Sequence, residues 1–189
     1  MLDSLLQLDK EVFLFLNNLG TASWDGFWMF VTTKWNSIPL YVVLAGMSLY
    51  YYGWKRTLLI LVTIALLILV TDQLANLFKT GVARLRPCYD PEVNGLMRLV
   101  KNSCGGRYGY FSAHAANAFA VAFFFISLLK PKLRYIGIFL TFWAFLMAYS
   151  RIYIGVHFPL DVLSGAIIGL ILSWLFTKLY IFATHKYSV

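Results

Sequence analysis

Apolar side chains dominate four long stretches of the chain, residues 57–79, 112–129, 135–152 and 159–181, with polar residues few and gathered mainly toward their ends. Each approaches the ~20 residues that carry a helix across ~30 Å of hydrocarbon. A fifth stretch, 26–53, is interrupted by Lys34, Asn36 and Pro39, which mark a bend. Residues 2–19 show a different rhythm. Leu2, Leu5, Leu6, Leu8, Val12, Phe13, Leu16 and Leu19 recur at helical spacing, and Asp3, Asp9, Lys10 and Glu11 break the run. This segment is predicted as an amphipathic helix lying on a membrane, not across it. "GTASWDGFW" (20–28) reads as a turn with aromatics at interface depth. Connections are short except for 80–111, where Pro87, Pro91, Gly95, Gly105, Gly106 and Gly109 predict irregular structure, and loops this long are commonly functional. The predicted fold is all-α: one polytopic membrane helix bundle, residues 1–189, with five or six transmembrane helices and the N-terminal amphipathic helix.

Composition sharpens this. The 189 residues are 60% hydrophobic and 13% charged, whereas a soluble domain is about half apolar and a quarter charged. Six Trp, twelve Tyr and sixteen Phe fit a protein whose aromatics collect at membrane interfaces. The formal net charge of +8 has no soluble domain to carry it. Nucleic acid is therefore excluded as a partner, and anionic lipid head groups and phosphate-bearing substrates are expected. "MLDSLLQLDKEVF" lacks the basic start and unbroken apolar core of a cleavable signal peptide.

Charge placement orients the bundle only in part. Lys55, Arg56, Lys130, Lys132, Arg134, Lys178 and Lys186 fall on one side, and Lys79, Arg84, Arg86, Arg98, Lys101, Arg107 and Arg151 on the other. If several of the second set hold phosphate, the compact basic turns are the cytoplasmic ones and the long loop faces outward. Cys88 and Cys104 both lie in that loop. They are expected to pair if it faces an oxidising compartment, and to be free thiols otherwise.

Three polar clusters fall at ends of spans on the loop's side. "KTGVARLRP" gives Lys79, Arg86 and Pro87; "FSAHAAN" gives Ser112, Ala113, His114 and Asn117; "SRIYIGVHFPLD" gives Ser150, Arg151, His157 and Asp161. Lys79, Arg86 and Arg151 supply cationic donors for phosphate oxygens. Ser112 and the amides after it open a helix, whose N-terminus suits an anion. His157 and Asp161 are four apart, so a carboxylate can fix the imidazole tautomer and leave the other nitrogen to attack phosphorus. His114 is then the proton donor to the leaving oxygen. Asn117 either supports His114 or bonds between helices. Arg84, Arg98, Lys101 and Arg107 are either ordinary loop charges or head-group contacts. Asp72, Gln73 and Asn76 are expected to make bundle-facing hydrogen bonds. Gly165, Ala166 and Gly169 form a small-residue patch for close helix approach, and His185 is given no role.

These clusters resemble the signature of type 2 phosphatidic acid phosphatases, a family of membrane lipid phosphatases. Lys79, Arg86 and Pro87 match Lys-x6-Arg-Pro. Ser150, Arg151, His157 and Asp161 match Ser-Arg-x5-His-x3-Asp. The middle motif, Pro-Ser-Gly-His, matches at Ser112 and His114, with Phe111 and Ala113 replacing proline and glycine. The resemblance covers residues 57–182. It implies a catalytic His157, which becomes phosphohistidine, oriented by Asp161 and served by His114 as acid and base. Lys79, Arg86, Ser112, the Ala113 amide and Arg151 are implied to bind phosphate, with no metal and no cofactor. Undecaprenyl diphosphate is the first substrate expected, with lipid A and phosphatidylglycerophosphate as alternatives. A non-catalytic protein that binds anionic lipid is the competing class. The implied location is a bacterial inner membrane with the site facing the periplasm or exterior; the oligomeric state is left open.

Overall fold

The structure, a computed structural model, describes residues 2–186, with the backbone only for Leu2, whose predicted place on the apolar face lies outside the described side chains. Among those residues it is helical apart from short turns and one long loop. Helix α1 spans Leu2–Asn18 and α2 spans Ala22–Thr32. The second replaces the turn expected at 20–28. Thr21 stands at its N-cap in extended conformation and Asp25 in its first turn complements the helix dipole. The bend foreseen near Lys34 is real. Thr33 leaves helical geometry, a 3-10 turn covers Lys34–Ser37, and α3 (Ile38–Val82) begins with Pro39 where a missing N–H costs no hydrogen bond.

Within α3, Gly53 has φ 75°, ψ 172°, a conformation open chiefly to glycine. The two arms on either side of it run antiparallel, since Tyr41 of the first and Ile68 and Asp72 of the second line one cavity. Tyr52, beside the turn, donates to the Leu128 carbonyl at the end of α4 (Ala113–Leu129). Helices α5 (Ile136–Tyr153) and α6 (Pro159–Lys186) complete five apolar segments. By length and composition Lys34–Val82, Ile136–Tyr153 and Pro159–Lys186 can cross a bilayer, and α4 is a shorter apolar helix. Exposed Leu58, Leu66, Phe142, Phe145, Ile167 and Trp174 present the outer surface such a solvent requires.

The core is built around α4, packed between α5 and α6 with Ala115, Ala116, Ala118, Ala120 and Ala122 buried. The α6 side of that contact is the glycine patch. A β-carbon on Gly165 would stand 2.5 Å from the Ser112 carbonyl oxygen, and one on Gly169 2.3 Å from that of Ala116. This near-contact of backbones lets the Ser112 amide donate to the Asp161 carbonyl at 2.9 Å. Two signature clusters are thereby tied together.

Helix α1 departs from the expectation for its polar residues. Leu5, Leu8, Val12 and Leu19 are exposed, as for a helix meeting lipid, but Phe13 is fully buried and so are Asp9 and Asn17. That buried i, i+4, i+8 stripe lies across the ends of α5 and α6. Asn17 donates to the carbonyls of Arg98 (3.0 Å), Ile152 (3.2 Å) and Tyr153 (2.9 Å), and accepts from the Arg98 amide at 2.7 Å. Leucine there would orphan these groups in a dry place. Asn17→Leu is expected to lower stability by about 2–4 kcal/mol, read as an earlier unfolding midpoint in detergent.

Candidate active site

The long connection, residues 83–112, is a pinned structure. Leu85 and Tyr108 pair as an isolated antiparallel bridge, with Arg86 N–H donating to Arg107 at 3.1 Å and Gly109 N–H to Arg84 at 2.9 Å. Cys88 and Cys104 are joined by a disulfide across 16 residues of sequence, a closure worth about 3 kcal/mol on chain-entropy grounds. Arg86 lies along this strand-like segment. Its Nε donates to the Tyr108 carbonyl at 3.1 Å and Nη1 to that of Val156 at 3.4 Å, which tethers the loop to the α5–α6 turn.

That turn carries His157. Gly155, at φ 82°, redirects the chain out of α5, and a β-carbon there would meet the Arg98 carbonyl at 2.5 Å. His157 is 2% exposed, and its Nδ1 lies 3.5 Å from Asp161 Oδ2. At that separation the pair lacks the hydrogen bond expected from the i, i+4 spacing. The carboxylate is held elsewhere: Oδ2 accepts the Phe158 amide at 3.0 Å and Oδ1 accepts Arg84 Nη1 at 2.7 Å. Arg84 also reaches Asp9 of α1, whose other oxygen accepts the Leu160 amide at 2.8 Å. Arg84 is thus neither an idle loop charge nor a head-group contact. It joins two buried carboxylates.

Three of the implied phosphate binders lie within electrostatic reach of His157. Burial first, and then the positive charges of Arg151, Arg86 and Lys79, hold its pKa well below the ordinary imidazole range, so the ring is neutral at neutral pH. Arg151 is buried, with one guanidinium nitrogen on Thr32 Oγ1. Its Nε, the Ser112 Oγ and His157 Nδ1 are buried polar atoms with no hydrogen-bond partner. Buried polar atoms are almost always satisfied, and donors clustered around a ring suit the oxygens of a bound anion. Ser112 occupies the N-cap of α4 in extended conformation, but its hydroxyl makes no capping bond. Ala113 is the first residue of that helix, a right-handed position that a β-carbon tolerates.

His114 follows on α4, within electrostatic reach of Arg151, Lys34 and His157. It faces a cavity of about 150 Å³ lined also by Lys34, Tyr41, Asp72, Asn117 and Trp143. Of the alternatives for Asn117, the interhelical one holds: its Nδ2 donates to Asp72 Oδ1 at 2.9 Å. Gln73 and Asn76, expected to face the bundle, are exposed. Arg98 pairs with Asp25 at 3.0 Å at the periphery. Among the described residues no group of three or more His, Cys, Asp or Glu side chains converges as a metal site would.

Residues 56–184 match the family model of the PAP2 superfamily. The chain belongs to the PAP2 superfamily. It is an integral membrane lipid phosphatase. The lipid A 4'-phosphatase of Bacteroides thetaiotaomicron is 38% identical over 98% of this chain and 81% of its own length. That of Porphyromonas gingivalis is 31% identical over 98% and 78%. An undecaprenyl-diphosphatase of Sulfolobus acidocaldarius is 28% identical over 87% and 73%. The crystal structure of a transmembrane PAP2-type phosphatidylglycerolphosphate phosphatase from Bacillus subtilis shares the fold, with TM-score 0.72 at 22% identity over 93% of this chain and 86% of that one.

Against that PAP2 frame, three residues at the site escaped the sequence reading: Asp9, Thr32 and Arg84. Asp9 and Thr32 lie in the N-terminal third, outside the signature, and nothing local in the sequence points from them to His157. Arg84 sits two residues before Arg86, and in an extended segment residues two apart share a face. That spacing from a signature arginine was the available signal.

Proposed function

We propose that this PAP2 enzyme removes phosphate from a lipid through a phosphohistidine at His157, and that its substrate is a phosphorylated saccharolipid of the lipid A type. What carries the first part is the gathering of Arg86, Arg151 and Lys79 about one neutral, buried imidazole, with the unpartnered Ser112 hydroxyl at a helix start tied to Asp161. With Nδ1 turned toward Asp161, Nε2 attacks phosphorus and the bond from phosphorus to the leaving oxygen breaks. That oxygen takes a proton from His114. Water then gives a proton back to His114, attacks the phosphohistidine and releases phosphate. The guanidinium and ammonium groups and the amides at the start of α4 hold the charge that gathers on the equatorial oxygens. Each step uses these side chains alone.

For the substrate, the order of expectation is reversed: the saccharolipid is preferred to undecaprenyl diphosphate. Support comes from the 38% identity over nearly the whole chain to a protein named for lipid A. The cavity beside His114 agrees. Tyr41 and Trp143 offer aromatic faces, and Asp72, Asn117 and Lys34 offer hydrogen bonds, which suit a sugar ring with hydroxyls and C–H faces. A prenyl diphosphate would bring a second phosphate toward the Asp72 carboxylate and an isoprene chain with nothing to bond. The site end is proposed to face the periplasm or exterior of an inner membrane. The disulfide by the site favours an oxidising compartment, and the turns holding Lys55, Arg56, Lys130, Lys132 and Arg134 lie at the opposite end of the bundle.

The test is a phosphate-release panel in EDTA with purified protein. Lipid A is expected to exceed undecaprenyl diphosphate, phosphatidylglycerophosphate and phosphatidate in kcat/KM by about tenfold or more, the discrimination one set of hydrogen bonds to a sugar can give. Undecaprenyl diphosphate in first place would restore the other order. No turnover on any of the four, with binding retained, would favour a non-catalytic lipid-binding protein.

A further inference from the structure

We infer that Asp9, on the N-terminal helix α1, is a positioning residue for the phosphoryl-transfer site, acting on His157 through Arg84 and Asp161. The inference rests on the His157 nucleophile proposed above. One guanidinium spans two carboxylates, Nη2 on Asp9 and Nη1 on Asp161. Both carboxylates are buried, Asp9 at 4% and Asp161 at 0% exposure, so little solvent screens them. Helix α1 also grips the nucleophile's own turn. Asp9 accepts the Leu160 amide, Phe13 meets the Phe158 ring edge-on at 5.2 Å, and the Arg84 guanidinium lies 4.5 Å over that ring.

Charge counting gives Asp9 a role beyond packing. With both carboxylates ionised, two negative charges and one guanidinium leave the cluster at net −1, so Asp161 keeps negative charge to offer His157. Without Asp9 the pair of Arg84 and Asp161 is neutral. The other charged or titratable groups facing His157 are Lys79 of α3, Arg86 of the loop, His114 of α4 and Arg151 of α5. None of them supplies negative charge. The residual anion of the cluster is the counterweight that steadies positive charge on the ring as phosphorus is attacked, and it orients the ring by holding Oδ2 toward Nδ1.

Asp9→Asn separates charge from fold, because its amide oxygen still accepts the Leu160 N–H. It is expected to lower kcat roughly 10- to 100-fold, a loss usual for outer partners of a reacting group, with KM within about threefold of wild type. With less negative charge nearby, a protonated His157 is less stable. The acid limb of the kcat/KM profile should therefore move to lower pH. Asp9→Glu, which keeps the charge, should recover much of the rate. Lys10→Gln is the structural control: it removes the other latch of α1, Lys10 to Asp90 and Glu92 at 3.0 Å each, and should leave the profile in place. The inference is overturned if Asp9→Asn keeps wild-type kcat and acid limb. It is also overturned if Asp9→Asn and Lys10→Gln lose activity alike, in step with their melting temperatures. His157→Ala in the same assay keeps the two ideas apart: turnover there removes the nucleophile, whereas a silent Asp9→Asn beside a dead His157→Ala removes only the relay.

Discussion

Phosphate release is expected to fall by roughly 10³-fold or more in His157→Ala, the scale on which removal of a nucleophile acts, while the protein stays folded and still binds anionic lipid. The reason is local. Arg86, Arg151 and Lys79 remain to hold the phosphate, and none of them can form the covalent intermediate. Binding and turnover should therefore part company: a lipid phosphate still competes for the site, but no acid-labile, base-stable phosphoprotein accumulates on rapid quenching. Vanadate, which takes the geometry of the attacked phosphorus, should inhibit the wild type and lose most of its affinity in the variant. Wild-type turnover in His157→Ala would remove the nucleophile assignment. Activity that vanishes on chelation and returns with magnesium would remove the metal-free mechanism.

Gly165→Ala should cripple the enzyme from the other direction, through one methyl group far too close to a backbone. The added carbon would stand 2.5 Å from the Ser112 carbonyl oxygen and 3.4 Å from the Ala116 amide nitrogen. A backbone oxygen cannot swing aside as a side chain can, so α4 and α6 must separate. Overpacking of this kind costs about 1–3 kcal/mol. The greater loss is functional, because the same contact carries the Ser112-to-Asp161 hydrogen bond at 2.9 Å. Moving it shifts the start of α4, and with it the Ser112 and His114 side chains, relative to His157. Misplacement by about 1 Å in a positioned site can cost 10²-fold in rate, and a fall of that order is expected with the bundle still assembled. Gly137→Ala is the comparison: the nearest atom to its new carbon is a side-chain methyl of Ile126 at 3.9 Å, and activity should be retained. Equal behaviour of the two variants would show that the α4–α6 approach does not set the site.

Much of this was legible in the chain because the membrane leaves few choices. Backbone groups in hydrocarbon must bond within their own segment, so long apolar runs become helices wherever they occur, and the four clear stretches do so within a few residues of where they were expected. Pro39 and Gly53 mark the breaks, since each restricts or frees the backbone in a way the neighbours cannot copy. Residues 20–28 read as a turn in the sequence, but from Ala22 onward Asp25 in the first turn and packing of Trp28 on Tyr149 and Tyr153 of α5 favour helix.

The candidate site divides the same way. Lys79, Arg86, Ser112, His114, Arg151, His157 and Asp161 stand at fixed spacing beside span ends, and a charge at such depth needs a reason, so the sequence by itself determined which residues are proposed to carry chemistry, with phosphate as their proposed target. Tertiary structure alone decided what surrounds them. The polar stripe of α1 looked like an interruption of an amphipathic face, because periodicity reports which residues share a side and not what that side meets. Folded over the α5–α6 turn, Asp9 finds Arg84 from 75 residues away, and through it Asp161. Partners so far apart in the chain leave no local trace, since only the packing of helices brings their charges within range of one another.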